Sequence, residues 1–300
     1  MRATARLICL AAILALGAQA EQPRVERSVV FGMYSGLALL MDVYHPVEPN
    51  GYGVVLIAGS GWHQPLGYDA KRIAVGGIVR TYGKALVDAG YTVFVINHRM
   101  APRFRYPAAL EDAQRAVRFI RHHAADYGIS AGRIGGVGGS SGGHLIALLG
   151  TLDGAGDPDD PDPVNRESAK LQCVVVRAAP SDLMRMNSPF GAMTVASFLG
   201  MRLPRHPSKD SIEYRTYRDA SPIYHVSADD PPFLLIHGDR DETVPFEMAT
   251  RMRDALRAAG VPVKLCTMHG AGHGVPASEL AKIPDYRNEV VEWMNRYLRR

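Results

Sequence analysis

Three hundred residues, 47% hydrophobic and 21% charged, describe a folded chain large enough to bury a substantial core, and exclude a disordered one. Thirty-four lysines and arginines stand against 30 aspartates and glutamates, so no strong basic or acidic field marks a nucleic-acid or anionic-membrane partner.

Residues 1–20 read as a secretory leader. Arg2 and Arg6 form a basic start, residues 7–16 an apolar stretch too short for a stable membrane span, and Ala18-Gln19-Ala20 a small-x-small cleavage site. An uncleaved anchor is the alternative. A periplasmic or secreted mature chain from Glu21 is expected, with no later membrane span. Two cysteines then remain, Cys173 and Cys266. A strand around Leu234 is expected to separate theirs, about 9–10 Å apart, so free buried thiols are expected rather than a disulfide.

Residues 27–47 predict a hairpin around Ser35-Gly36. Six apolar strands follow, near residues 54–58, 92–97, 133–137, 173–177, 232–237 and 263–268. Helical patterns fall near 82–89, 108–127, 142–149, 245–259 and 285–298. Apolar strands alternating with helices predict an eight-stranded, mostly parallel sheet between helix layers. In the helix from Ala108, Pro107 suits the first turn, Glu111 and Asp112 the positive end, and Ala113, Ala116, Val117 and Ile120 a packing face.

Two insertions interrupt the alternation. Residues 151–170 are acidic and proline-rich; without the glycine and later glutamate of a calcium loop, they read as solvated. Residues 181–227 are methionine-rich (Met184, Met186, Met193, Met201) and read as a cap. Its methionines with Phe190 or Phe198 would line an acyl pocket, or simply pack under a long loop.

The chemistry concentrates between the strand at 133–137 and the helix at 142–149, in Gly138-Gly139-Ser140-Ser141-Gly142-Gly143-His144. Strand, glycine turn with serine, and helix make a nucleophile elbow: a strained turn lifts the hydroxyl clear, and side chains two residues either side would clash. Ser140 fits with Gly138 and Gly142; Ser141 fits with Gly139 and Gly143. We favour Ser140, because the strand then runs straight into the turn and Ser141 N–H can face an oxyanion. A phosphate-binding glycine loop is the rival, but no Gly-Lys-Ser/Thr ending supports it.

A serine needs a base and a group to orient that base. Asp241, in His237-Gly238-Asp239-Arg240-Asp241, follows a strand at the same sheet edge; Asp239 and Glu242 are weaker candidates. His273, in Gly270-Ala271-Gly272-His273-Gly274, follows the last strand and is the expected base. Gly59-Ser60-Gly61-Trp62 closes the 54–58 strand, and the N–H groups of Ser60 and Gly61, with that of Ser141, are the expected oxyanion donors.

These motifs, with Asn97-His98-Arg99-Met100-Ala101-Pro102, Tyr106-Pro107-Ala108-Ala109-Leu110-Glu111-Asp112 and Ser221-Pro222-Ile223, resemble α/β-hydrolase esterases and lipases of the hormone-sensitive-lipase-like and bacterial feruloyl-esterase-like group. The resemblance covers most of residues 21–300. It implies an α/β-hydrolase fold with a cap insertion, Ser140 as nucleophile and Asp241 as the acid, no metal or organic cofactor, and a small-molecule or carbohydrate ester as substrate. One departure stands out. The group's His-Gly-Gly-Gly-Trp reads Ala58-Gly59-Ser60-Gly61-Trp62 here, which bears on the oxyanion loop and the acyl group it admits. A peptidase resembling the catalytic domain of prolyl oligopeptidases, and a non-catalytic binding protein on the same fold, are the alternatives.

Overall fold

The computed structural model describes residues 23–65, 67, 77–186, 188–274 and 286–299; the expected leader at 1–20 lies outside them. The hairpin forms as β1 (Arg24–Tyr34) and β2 (Leu37–His45), antiparallel, turned by Ser35 (φ 45°) and Gly36 (φ 82°). β3 (Gly53–Ile57), β4 (Thr92–Ile96), β5 (Ile134–Gly139), β6 (Cys173–Arg177), β7 (Phe233–Gly238) and β8 (Val263–Met268) complete one sheet in the order β1-β2-β4-β3-β5-β6-β7-β8. β2 meets β4 antiparallel, and every pair from β4 to β8 is parallel. This is the eight-stranded, mostly parallel sheet expected from the alternation.

Parallel central strands must be covered on both faces, and period-2 alternation assigns each residue its face. Val55, Ile57, Phe94 and Ile96 join a core with α2 (Ala108–His122), α3 (Ser141–Thr151) and α6 (Glu247–Ala258). Val54, Leu56, Val93 and Val95 face the other way, onto α1 (Lys84–Asp88) and α7 (Tyr286–Leu298). β5 carries four glycines among six residues, poor strand formers by propensity. Close packing explains them. A Cβ on Gly136 would stand 2.4 Å from Leu171 Cδ1, and one on Gly135 2.8 Å from Met294 Sδ of α7.

α2 ends at His122, five residues before the expected boundary; beyond His123 the backbone closes through i→i+3 turns such as Ala124 N–H to Arg121 O. Asp112 does more than complement the helix end. Its buried carboxylate accepts the Arg99 backbone N–H (2.6 Å) and Nε–H (2.9 Å), while the guanidinium lies 3.8 Å over the Tyr34 ring. The pair clamps the 97–102 loop onto α2 and the hairpin.

Residues 181–227 carry two helices, α4 (Pro189–Leu199) and α5 (Ile212–Asp219). In the acidic insertion the carboxylates serve the loop itself: Asp162 Oδ1 accepts Val164 N–H at 3.0 Å, and Asp162 Oδ2 pairs with Arg115 at 2.7 Å. Cys173 and Cys266 are free and buried on β6 and β8, with β7 between them. Among the described residues no helix is long and apolar enough to cross a membrane.

Candidate active site

β5 delivers the chain to Ser140, which sits at φ 52°, ψ −127°, and α3 begins at Ser141. A non-glycine residue at such angles is strained by about 1–3 kcal/mol and persists only where its surroundings hold it. Here Ser140 N–H donates to Arg177 O (2.8 Å), and Ser140 O accepts from His144 N–H (3.0 Å). A Cβ on Gly138 would lie 2.5 Å from Gly142 O, and one on Gly142 2.2 Å from Ile57 O. The turn is therefore centred on Ser140, with glycines two residues either side. Ser141 is buried in the first turn of α3.

Asp241 follows β7, and its Oδ1 accepts the N–H groups of Thr243 (2.9 Å) and Val244 (2.8 Å). Its Oδ2 stands 2.8 Å from His273 Nδ1, and His273 Nε2 stands 2.9 Å from Ser140 Oγ. Burial alone would raise the Asp241 pKa. Hydrogen bonds from His237 and His273 and from the Val244 N–H outweigh it and hold the carboxyl far below the usual range. An ionised Asp241 takes Nδ1–H, which leaves Nε2 as a lone pair aimed at the serine hydroxyl. Sequence reasoning did not single out His237: buried, 3.3 Å from Asp241 Oδ2 and 2.9 Å from Val244 O, it braces the carboxylate from behind. The weaker candidates stand apart: Asp239 is held by His269 (2.9 Å) and Gly270 N–H (2.7 Å), and Glu242 is exposed.

The loop after β3 abuts the elbow. A Cβ on Gly59 would come within 2.8 Å of Ser140 Cβ. Gly61 (φ 66°) and Trp62 (φ 56°) form a left-handed turn closed by His63 N–H to Ser60 O at 3.3 Å. Trp62 holds that conformation through its side chain: the indole stacks on Phe198 at 4.6 Å and donates to His144 Nδ1 at 3.2 Å. His144 Nε2–H in turn donates to Ala220 O at 2.6 Å. Burial depresses the His144 pKa to about 4, so it is neutral. Of the three expected oxyanion donors, the Ser60 N–H is engaged elsewhere, donating to Ser141 Oγ at 2.9 Å. The Ser60 hydroxyl lies 3.8 Å from Met100 Sδ. The hydroxyl of Ser141, directly after the nucleophile, captures that N–H, and the Ser140-Ser141 doublet was its sequence signal.

A cleft of about 880 Å³ opens over Ser140 and His273. From residues 181–227, Met186, Phe190, Gly191 and Thr194 line it. Met184, Met193 and Met201 are not among its described walls, and Phe198 is buried in the Trp62 stack. The sequence reading also missed Arg177, which lines the cleft from the end of β6. Its signal was a lone charge ending an apolar strand. Among the described residues no group of three His, Cys, Asp or Glu side chains could hold a metal ion.

The BD-FAE family matches residues 41–256. The probable carboxylic ester hydrolase LipM of Mycobacterium tuberculosis is 33% identical over 57% of this chain and 39% of its own length. Esterase LipC of the same organism is 31% identical over 70% of this chain and 51% of its own. The chain thus spans about half the length, or less, of these curated relatives. A truncated carbohydrate esterase from gut microbiota superposes with a TM-score of 0.72 at 25% identity, covering 91% of this chain and 96% of that one. With a family match over most of the chain and a fold to suit it, the protein belongs to the BD-FAE family of α/β-hydrolase esterases.

Proposed function

We propose that the protein is an exported serine carboxylic ester hydrolase acting through an acyl-enzyme on short-chain or carbohydrate-linked esters. The observation that carries this reading is the continuous hydrogen-bonded line from Asp241 through His273 to a serine at positive φ over an open cleft. His273 Nε2 takes the proton as Ser140 Oγ attacks the ester carbonyl. Asp241 keeps the proton on Nδ1 and stabilises the imidazolium. The tetrahedral oxyanion is held by the N–H groups of Gly61 and Ser141, the latter at the positive end of α3 and without a partner inside the helix. His273 returns its proton to the leaving alcohol, and a water activated by the same nitrogen releases the acid. The Ser60 N–H then acts indirectly, tying the loop to α3. The leader at 1–20 supports export, and the name of the gut carbohydrate esterase supports sugar esters.

The test is hydrolysis of p-nitrophenyl acetate and butyrate by the chain from Glu21, beside Ser140→Ala and Ser141→Ala, with fluorophosphonate labelling in parallel. Activity and labelling lost in Ser140→Ala but kept in Ser141→Ala is the expected result. A folded wild type that neither turns over nor labels would sink the esterase and favour a binding role.

A further inference from the structure

β6 reads Cys173-Val174-Val175-Val176-Arg177: four buried apolar residues, then a charge where the strand reaches the cleft. Arg177 is anchored beside the elbow. It registers with Gly139 across the sheet, and its carbonyl accepts the Ser140 N–H. Its Nη2 donates to the backbone carbonyl of His273 at 2.8 Å. A guanidinium carries five N–H donors in a rigid fork, and that bond uses one. Among the described residues no carboxylate pairs with Arg177. The described cleft wall also holds Arg287, but no aspartate or glutamate. A half-buried cation with no carboxylate partner among the described residues, inside a walled cleft, is a site for an anion.

Its position also selects the part of the ester. In the mechanism above, His273 Nε2 protonates the leaving alcohol, so the groups around His273 flank the alcohol and the Gly59–Trp62 loop flanks the carbonyl oxygen. Arg177 is tied to His273. Resting on the esterase reading, we infer that Arg177 recognises a carboxylate on the alcohol moiety, making the substrate class acyl esters of hydroxy acids or sugar acids.

The competing role is a strut that merely holds the His273 loop. Two matched esters separate them: 3-acetoxybenzoate and its neutral counterpart 3-acetoxybenzamide, assayed with wild type, Arg177→Met and Arg177→Lys. The wild type should favour the acid in kcat/KM by about ten-fold or more, chiefly through KM. Arg177→Met lowers both rates as the loop loosens, and the acid-to-amide ratio falls to near one. Arg177→Lys restores part of the ratio, and 0.5 M NaCl erodes it in the wild type. A wild-type ratio of one or less, a ratio unchanged in Arg177→Met, or turnover of p-nitrophenyl acetate but of neither test ester would overturn the assignment. Should Arg177→Met fail to fold, Arg177→Lys and the salt series still decide. Failure on p-nitrophenyl acetate as well removes the esterase reading itself, which keeps the two failures distinct.

Discussion

The elbow and the loop that faces it lie against each other and are held by different physics. Around Ser140 the backbone is jammed against backbone: the missing Cβ atoms of Gly138 and Gly142 would fall 2.5 and 2.2 Å from carbonyl oxygens that cannot step aside. In the Gly59–Trp62 loop Gly59 is jammed in the same way, its missing Cβ 2.7 Å from Gly139 O, but Ser60 and Trp62 are held by hydrogen bonds that side chains complete, Ser60 N–H to Ser141 Oγ and the Trp62 indole through His144 to Ala220. Contacts of the first kind tolerate no substitution. Those of the second can be loosened one at a time, and that is where this chain departs from its family's glycines.

Substitutions on the two sides should therefore differ in kind. On the elbow, Ser140→Ala should cut kcat/KM by about 10⁴-fold or more while leaving the fold intact by circular dichroism. Gly142→Ala should instead cost about 4 kcal/mol or more in urea unfolding, since its methyl would overlap Ile57 O. A Gly142→Ala protein of normal stability would mean the elbow is looser than these contacts require.

Asp241→Asn should lower kcat by about 10³- to 10⁴-fold, because an amide cannot hold the Nδ1–H tautomer. Its stability effect should depend on pH. The folded Asp241 pKa lies below the unfolded value of about 3.9, so its contribution is present above that pH and fades as pH falls towards the folded value. Denaturation midpoints of wild type and variant should begin to draw together as pH falls below about 3.9, and meet only as it approaches the folded value.

On the loop side, His144 titrates in the same direction, at higher pH. Its folded pKa of about 4 lies under the ordinary 6.5, so between those values the unfolded chain binds the extra proton and stability falls as pH drops. The whole window is worth about 3 kcal/mol, which His144→Phe should remove from the pH dependence of ΔG. That substitution also deprives the Trp62 indole of its acceptor, and a several-fold loss of kcat should follow as the loop slackens. Ser141→Ala should have the smallest effect. It frees the Ser60 N–H, and kcat should stay level or rise by less than about ten-fold. A hundred-fold fall would instead make the Ser141 hydroxyl an oxyanion donor.

Much of this was legible in the chain. Apolar runs bounded by turn residues located the strands near their observed ends, because burial on both faces imposes a pattern that neighbours in sequence carry. The elbow was legible for the same local reason, though its register was not: Gly138, Gly139, Gly142 and Gly143 allow either serine until Ile57 closes on Gly142. Phe198 looked equal to Phe190 as a pocket residue, yet it stacks on Trp62, far away in sequence. The end of α2 was missed because residues 123–127 keep a helical composition while the backbone turns away.

Residue types and their order thus determined the fold class, the strand–turn–helix around Ser140 and the candidate acid and base, since these depend on local periodicity and on where each loop leaves the sheet. Tertiary structure alone decided which serine occupies the turn, that the Ser60 N–H turns to Ser141, that His144 is a neutral bridge and that Arg177 enters the cleft. Each of those rests on atoms distant in sequence meeting within a few ångströms, and only the packed sheet specifies that.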